Sequence, residues 1–153
     1  MITPHHILSA AHCFKTVSLV PDDFEFWVGK FKKEADEAGF AQRLFAEEIK
    51  LHPDYERAGK HDSDLAIIRL RSPGASLTSQ VSTICLPPDA SYHPADGARC
   101  YVTGYGATKG TGFDDELKQA TLPIISQAEC GTMEPRLKVR FLSIFSKCFT
   151  LNC

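Results

Sequence analysis

Alternating apolar and polar residues, separated by turn-forming residues, recur along most of the chain. Alternation with a period of two is typical of half-buried β-strands. One run, Phe24–Gly29, also contains aromatic residues, which strands favour. Another, Leu65–Leu70, is short, apolar and rich in β-branched residues, which predicts a central strand. The predicted strands cover residues 2–11, 24–29, 40–51, 65–70, 100–106 and 117–125. Several short strands joined by turns predict an all-β barrel or sandwich.

The segments between these runs predict turns and boundaries. His52–Tyr55 and Arg71–Gly74 contain proline and should be turns. Pro123 should lie at a strand edge or bulge, because proline cannot donate to a β-ladder. Residues 30–39 are charged and end in glycine, which indicates an exposed hairpin or loop, although their composition also suits a helix. Trp27 and the phenylalanines are expected in the core.

Changes in composition divide the chain into four parts. Residues 1–78 carry the first group of strands, and residues 79–98 are rich in proline and predict a connection. Residues 99–130 restart the strand pattern. Residues 131–153 differ again, since they are basic and contain the apolar stretch Phe141–Phe145 with no evident partner face.

Charge and cysteine content narrow the classes of partner. The net charge of −2 is too close to neutral to indicate nucleic acid or a membrane surface as a partner. No apolar run approaches the roughly 20 residues that cross a bilayer, and the first residues do not resemble a signal peptide. The six cysteines form no CxxC pairs and suit disulfides in a secreted domain better than a metal site. We therefore expect no metal and no cofactor.

Two stretches carry candidate chemistry. His12 follows two alanines and precedes Cys13, so small neighbours let the backbone pack closely beneath an outward-reaching imidazole. Further on, Asp64 leads directly into the apolar run Leu65–Leu70. A histidine can act as a general base, and a carboxylate can orient it. The simpler alternative for His12 is a packed core histidine, and the nearby Asp62 is interpreted as a solvated loop carboxylate.

At these residues the chain resembles the catalytic domain of trypsin/chymotrypsin-type serine endopeptidases. Ile2–Cys13 resembles the family's catalytic-histidine segment, and Asp62–Leu70 resembles its catalytic-aspartate segment. Cys85–Pro88 and Cys100–Gly106 are similar to its inter-barrel and second-barrel landmarks, and Leu117–Cys130 to the strand and cysteine that follow. The resemblance implies a chymotrypsin-like double β-barrel, here incomplete: most of the first barrel, the start of the second and a non-family tail.

The same resemblance implies roles for individual residues. His12 would be the general base, Asp64 would orient it, and a polypeptide would be the substrate. Cys13 and Cys100 would pair with cysteines that the 153 residues do not contain, and Cys130 with one further along the chain. Cys85 would tether an upstream propeptide or light chain, which implies an extracellular, secreted protein.

The sequence departs from the family pattern at segments that the family needs for activity. The sequence contains neither an Ile-Val-Gly-Gly segment nor the Gly-Asp-Ser-Gly-Gly segment that carries the nucleophilic serine. Lys30 and Ala41 stand near positions where some members place calcium-binding carboxylates, so we expect no calcium. The chain is therefore expected to be an inactive part of a serine endopeptidase. The alternatives are a non-catalytic pseudoprotease that binds partners, and a gene-model fragment.

Overall fold

The computed structural model describes residues 1–15, 19–34, 39–60, 62–89, 91–92, 94–107, 110, 114–126, 128–129 and 132. Within them the chain forms six strands, a one-turn α-helix and a 3₁₀ turn at Pro21–Asp23. The strands are β1 (His6–Ser9), β2 (Glu25–Val28), β3 (Gln42–Leu51), β4 (Ala66–Leu70), β5 (Arg99–Gly104) and β6 (Lys118–Pro123), and the helix is α1 (His12–Lys15). Each strand lies within or close to a predicted run, so the all-β prediction is confirmed.

The first four strands form one antiparallel sheet in the order β1-β4-β3-β2, which we call the first sheet. The prediction that Leu65–Leu70 is a central strand is confirmed, because β4 pairs with β1 on one side and β3 on the other. Its side chains nevertheless alternate between buried and exposed, with Ile67 46% exposed and Ile68 fully buried. This sheet therefore buries only one face, as antiparallel sheets commonly do.

A small apolar core covers that face. Phe14 of α1 packs there with inward-pointing residues of β3 and β4, and Phe14 and Phe24 meet edge to face with ring centroids 5.1 Å apart. The buried members of this cluster are Phe14, Ala46, Ile49, Ala66, Ile68 and Leu70. The packing of Phe14 fixes α1 against the sheet.

The prediction that Trp27 and the phenylalanines lie in the core is wrong for several of them. Trp27 is 45% exposed, because the alternation of β2 turns it outward with Glu25 while Phe26 packs against the core. Its indole lies beside the Lys30 ammonium, 4.5 Å from the ring centroid, and donates from Nε1 to Glu25 at 2.9 Å. Phe31, Phe40 and Phe45 are also exposed. Aromatic composition alone did not reveal which face each residue would take.

Strands β5 and β6 pair with each other and form a separate antiparallel ribbon, which we call the second ribbon. Pro123 ends β6 opposite Arg99, which agrees with the predicted edge position. The ribbon joins the segment after β2 through backbone hydrogen bonds, including one from the Leu117 N–H to the Phe31 carbonyl at 2.8 Å. The predicted residues Cys130 and the 131–153 tail, apart from Thr132, lie outside the described residues.

Candidate active site

The backbone places His12 at the first position of α1, with Ala10 and Ala11 between it and the end of β1. Ala11 is fully buried and Phe14 nearly so, which anchors both sides of the histidine in the core. The His12 side chain itself is 50% exposed. A buried backbone with a half-exposed imidazole allows the ring to be held firmly and still reach a reactant.

Asp64 lies at the end of the long connection between β3 and β4, which we call the 52–65 loop. The His52 N–H donates to the Leu65 carbonyl at 2.8 Å and closes the base of this loop. Ser63, the residue before Asp64, is buried and has a positive φ of 50°, a conformation that is uncommon for residues other than glycine. This turn directs Asp64 beneath the helix, where the residue is 4% exposed.

The structure brings His12 and Asp64 together through two hydrogen bonds. The backbone N–H of His12 donates to Asp64 Oδ1 at 2.8 Å. The Nδ1 of the same residue lies 2.6 Å from Asp64 Oδ2. An ionised carboxylate only accepts, so this contact requires the proton on Nδ1 and leaves Nε2 as the acceptor of a neutral ring. The other ring nitrogen of His12, Nε2, lies 3.7 Å from the Sγ of Cys13.

A second contact joins α1 to the 52–65 loop one turn further along the helix. Lys15 forms an ion pair with Glu56, and its ammonium also lies 5.9 Å from the centre of the Tyr55 ring. The hydrogen bond to Glu56 raises the pKa of Lys15. Burial, followed by the negative charges of Glu56 and Asp64, raises the pKa of Tyr55. No sequence pattern indicates this contact, because neither periodicity nor a motif links Lys15 to residues 55 and 56.

The predicted cysteines stand in different surroundings. Cys13 and Cys85 are exposed, and Cys100 is buried in β5. No disulfide joins these three described cysteines to one another. The pairings that the resemblance implies for them involve cysteines outside this sequence, so they stay predictions. Cys130 falls outside the described residues.

Two features are absent from the described residues. No group of three or more histidine, cysteine or acidic side chains there could hold a metal ion. Among the same residues, no helix has the length and apolar character needed to cross a membrane.

A family model described as Trypsin matches residues 1–147. The chain belongs to the trypsin family. The first sheet and the second ribbon are accordingly parts of a chymotrypsin-like β-barrel fold, as the resemblance predicted. The trypsin match also reaches beyond Cys130 into the stretch that the sequence analysis set apart as divergent.

The chain is also similar in sequence to individual proteins. The chain is 36% identical to human trypsin-3 over 137 residues, which are 88% of the chain and 41% of the relative. It is 31% identical over 131 residues to Limulus clotting factor C of Carcinoscorpius rotundicauda, covering 81% of the chain and 13% of that protein. It is also 30% identical over 134 residues to ovochymase of Halocynthia roretzi, covering 85% and 8% respectively. The chain thus spans less than half the length of each of these relatives.

Proposed function

We propose that this chain carries two residues of a serine endopeptidase catalytic triad, the histidine and the aspartate. His12 is the general base and Asp64 is the carboxylate that orients it. The observation that supports this most directly is the double hydrogen bond from His12 to the buried Asp64. General bases held in this way contribute on the order of 10²–10⁴-fold to reaction rates.

The chemistry is acyl transfer to a serine hydroxyl. Nε2 of His12 accepts the hydroxyl proton as the oxygen attacks a peptide carbonyl, and the same nitrogen later returns the proton to the leaving amine. Asp64 keeps the proton on Nδ1 and stabilises the imidazolium that forms. The substrate class is a polypeptide, by membership of the trypsin family.

We further propose that the 153-residue polypeptide alone does not turn over peptides. Its sequence contains no Gly-Asp-Ser-Gly-Gly segment to supply the nucleophile. The test is incubation of the purified chain with a fluorophosphonate probe and with tripeptide amide substrates, alongside His12→Ala. Absence of labelling and of amide release is expected. Labelling of the wild type that disappears in His12→Ala would contradict inactivity.

A separate measurement tests the role of the two residues. Histidine selectively labelled with ¹⁵N should show His12 in the neutral tautomer with the proton on Nδ1, assigned with a His12→Gln variant. Replacement of Asp64 by Ala should abolish that signature, because the acceptor of the Nδ1 proton is lost. A wild-type His12 with its proton on Nε2 would refute the proposed base geometry.

The domain boundaries, the location of the protein and the roles of its cysteines are part of the same proposal. We assign residues 1–78 to the first barrel, 79–98 to the connection, 99–130 to the start of the second barrel and 131–153 to a divergent tail. We place the protein outside the cell, with Cys13, Cys85, Cys100 and Cys130 as disulfide-forming residues and Cys85 as the link to an upstream propeptide or light chain. Mass-spectrometric disulfide mapping of the protein from its native source tests the assignments of the four cysteines.

A non-catalytic interaction module is the second candidate. The observation that favours it is an apolar face of the second ribbon, where Val102 of β5 and Leu122 of β6 are both exposed. Analytical ultracentrifugation distinguishes this candidate. A defined complex weakened by Leu122→Lys would support it, and a monomer at all concentrations would count against it.

A further inference from the structure

A second attachment between α1 and the 52–65 loop accompanies the His12–Asp64 pair. We infer that the Lys15–Glu56 ion pair is a positioning device that sets the orientation of the His12 imidazole over Asp64. This inference rests on the proposed function of His12 and Asp64. Lys15 and Glu56 would touch no reacting atom, and they would act only through the helix and the loop.

The short length of α1 allows the ion pair to influence the orientation of the His12 side chain. Helix α1 has only four residues, with His12 at its start and Lys15 at its end. Asp64 holds the first residue and Glu56 holds the last, so the helix is attached to one loop at both ends. Phe14 already anchors α1 in the core, and the attachment of Lys15 to Glu56 adds a restraint at the last residue of the helix. This restraint narrows the remaining range of orientations of α1 and hence of the His12 imidazole and its Nε2.

The 52–65 loop is built to present Glu56 at a fixed distance from Asp64. Glu56 has a positive φ of 57°, and its N–H donates to the Asp62 carbonyl at 2.8 Å. Asp62 in turn donates its N–H to Gly59 at 3.0 Å. These hydrogen bonds connect Glu56 to Asp62, which lies two residues before Asp64. A shift of Glu56 should therefore also move Asp64.

Tyr55 reinforces the attachment from the loop side. Its hydroxyl donates to Glu56 Oε1 at 3.4 Å, and its ring lies below the Lys15 ammonium. The Glu56 side chain is 23% exposed and that of Lys15 is 52% exposed. An ion pair at this exposure contributes little to global stability. Its effect should therefore be found in the local geometry of His12 rather than in the folding equilibrium.

The experiment measures how well the Nδ1 proton of His12 is protected from exchange with solvent. The variants Lys15→Met and Glu56→Gln remove the charge pair, and Lys15→Glu combined with Glu56→Lys reverses it. The matched control is Arg57→Met, which removes the 2.7 Å ion pair between Arg57 and Asp54 within the same loop without touching α1. Circular dichroism and urea unfolding verify that each variant is folded.

Removal of either partner should raise the exchange rate of the Nδ1 proton by about two- to five-fold, the equilibrium factor expected for a pair of this exposure. The reversed pair should restore at least part of the protection, and Arg57→Met should leave it unchanged. Equal exchange rates in the wild type, Lys15→Met and Glu56→Gln would overturn the inference, as would an equal loss in Arg57→Met. A wild type without an Nδ1-protonated His12 would instead refute the proposed function.

Discussion

The first sheet and the second ribbon are both antiparallel, but they bury their side chains very differently. In the first sheet, β4 alternates strictly between buried and exposed positions above a shared core. In the second ribbon, Cys100 is the only described strand residue that is buried. A two-stranded ribbon has little independent stability in water. His12 follows β1 and Asp64 precedes β4, so the pair that we propose as catalytic lies in the better-packed region.

The largest expected effect is a difference in the free energy of unfolding between alanine variants of the two regions, because among the described residues only the first sheet has a packed core. Ile68→Ala empties a fully buried position of β4 and should cost about 2–5 kcal/mol in the free energy of unfolding, through lost burial and the cavity left behind. Leu122→Ala removes a side chain of β6 that is 49% exposed and should cost about 0.5 kcal/mol or less. Urea unfolding measures both. Similar losses in the two variants would show that the second ribbon is packed as tightly as the first sheet.

The next comparison uses two glycines with nearly the same φ angle. Gly29, after β2, has φ of 77°, and Gly97, before β5, has φ of 78°. A Cβ at Gly29 would lie 2.5 Å from the Phe40 carbonyl oxygen, whereas one at Gly97 would meet nothing within 4 Å. Gly97→Ala should therefore cost about 1 kcal/mol, the strain of a positive φ alone. Gly29→Ala should cost about 1–3 kcal/mol more, because the backbone must shift.

Thermal unfolding of the two alanine variants measures that difference. Because the two φ angles match, the strain of a positive φ should be similar in both variants, and the space available to the new methyl group is the main difference between them. Equal losses of stability would mean that the segment around Phe40 moves freely enough to accept a side chain at Gly29.

A third comparison concerns two carboxylates. Asp64→Ala leaves the His12 N–H and Nδ1 without their acceptor in a part-buried place and should cost about 1–3 kcal/mol. Asp89, in the connection between the regions, caps an exposed turn by accepting the Ser91 N–H at 2.7 Å. Asp89→Ala should therefore cost about 1 kcal/mol or less. Urea midpoints of the two variants test this, and a larger loss for Asp89→Ala would contradict it.

The sequence predicted the strands well because alternation reports directly on which positions face a core. Leu65–Leu70 was recognised as a central strand, and β3 begins within two residues of the expected start. Alternation cannot show which face of a strand is covered, and Trp27 was therefore assigned to the core although it lies outside. The proximity of His12 and Asp64 was predicted by resemblance to a family and not by periodicity. The Lys15–Glu56 pair followed from neither, since exposed charges carry no pattern across 41 residues.

The smallest expected effect concerns pH and the outer face of the first sheet. Hydrogen bonds from the Trp27 indole and from Arg43 lower the pKa of Glu25, and a hydrogen bond from Lys50 lowers that of Glu48. A carboxyl with a lowered pKa in the folded state stabilises that state above its ordinary pKa, which is 4.5 for glutamate, and loses this contribution as the pH falls below it. The wild type should therefore lose thermal stability between neutral pH and about pH 3. The double variant Glu25→Gln and Glu48→Gln should lose less, because neither amide titrates. Identical pH profiles for the two proteins would show that these exposed pairs are fully screened by solvent and that acid sensitivity arises elsewhere in the fold.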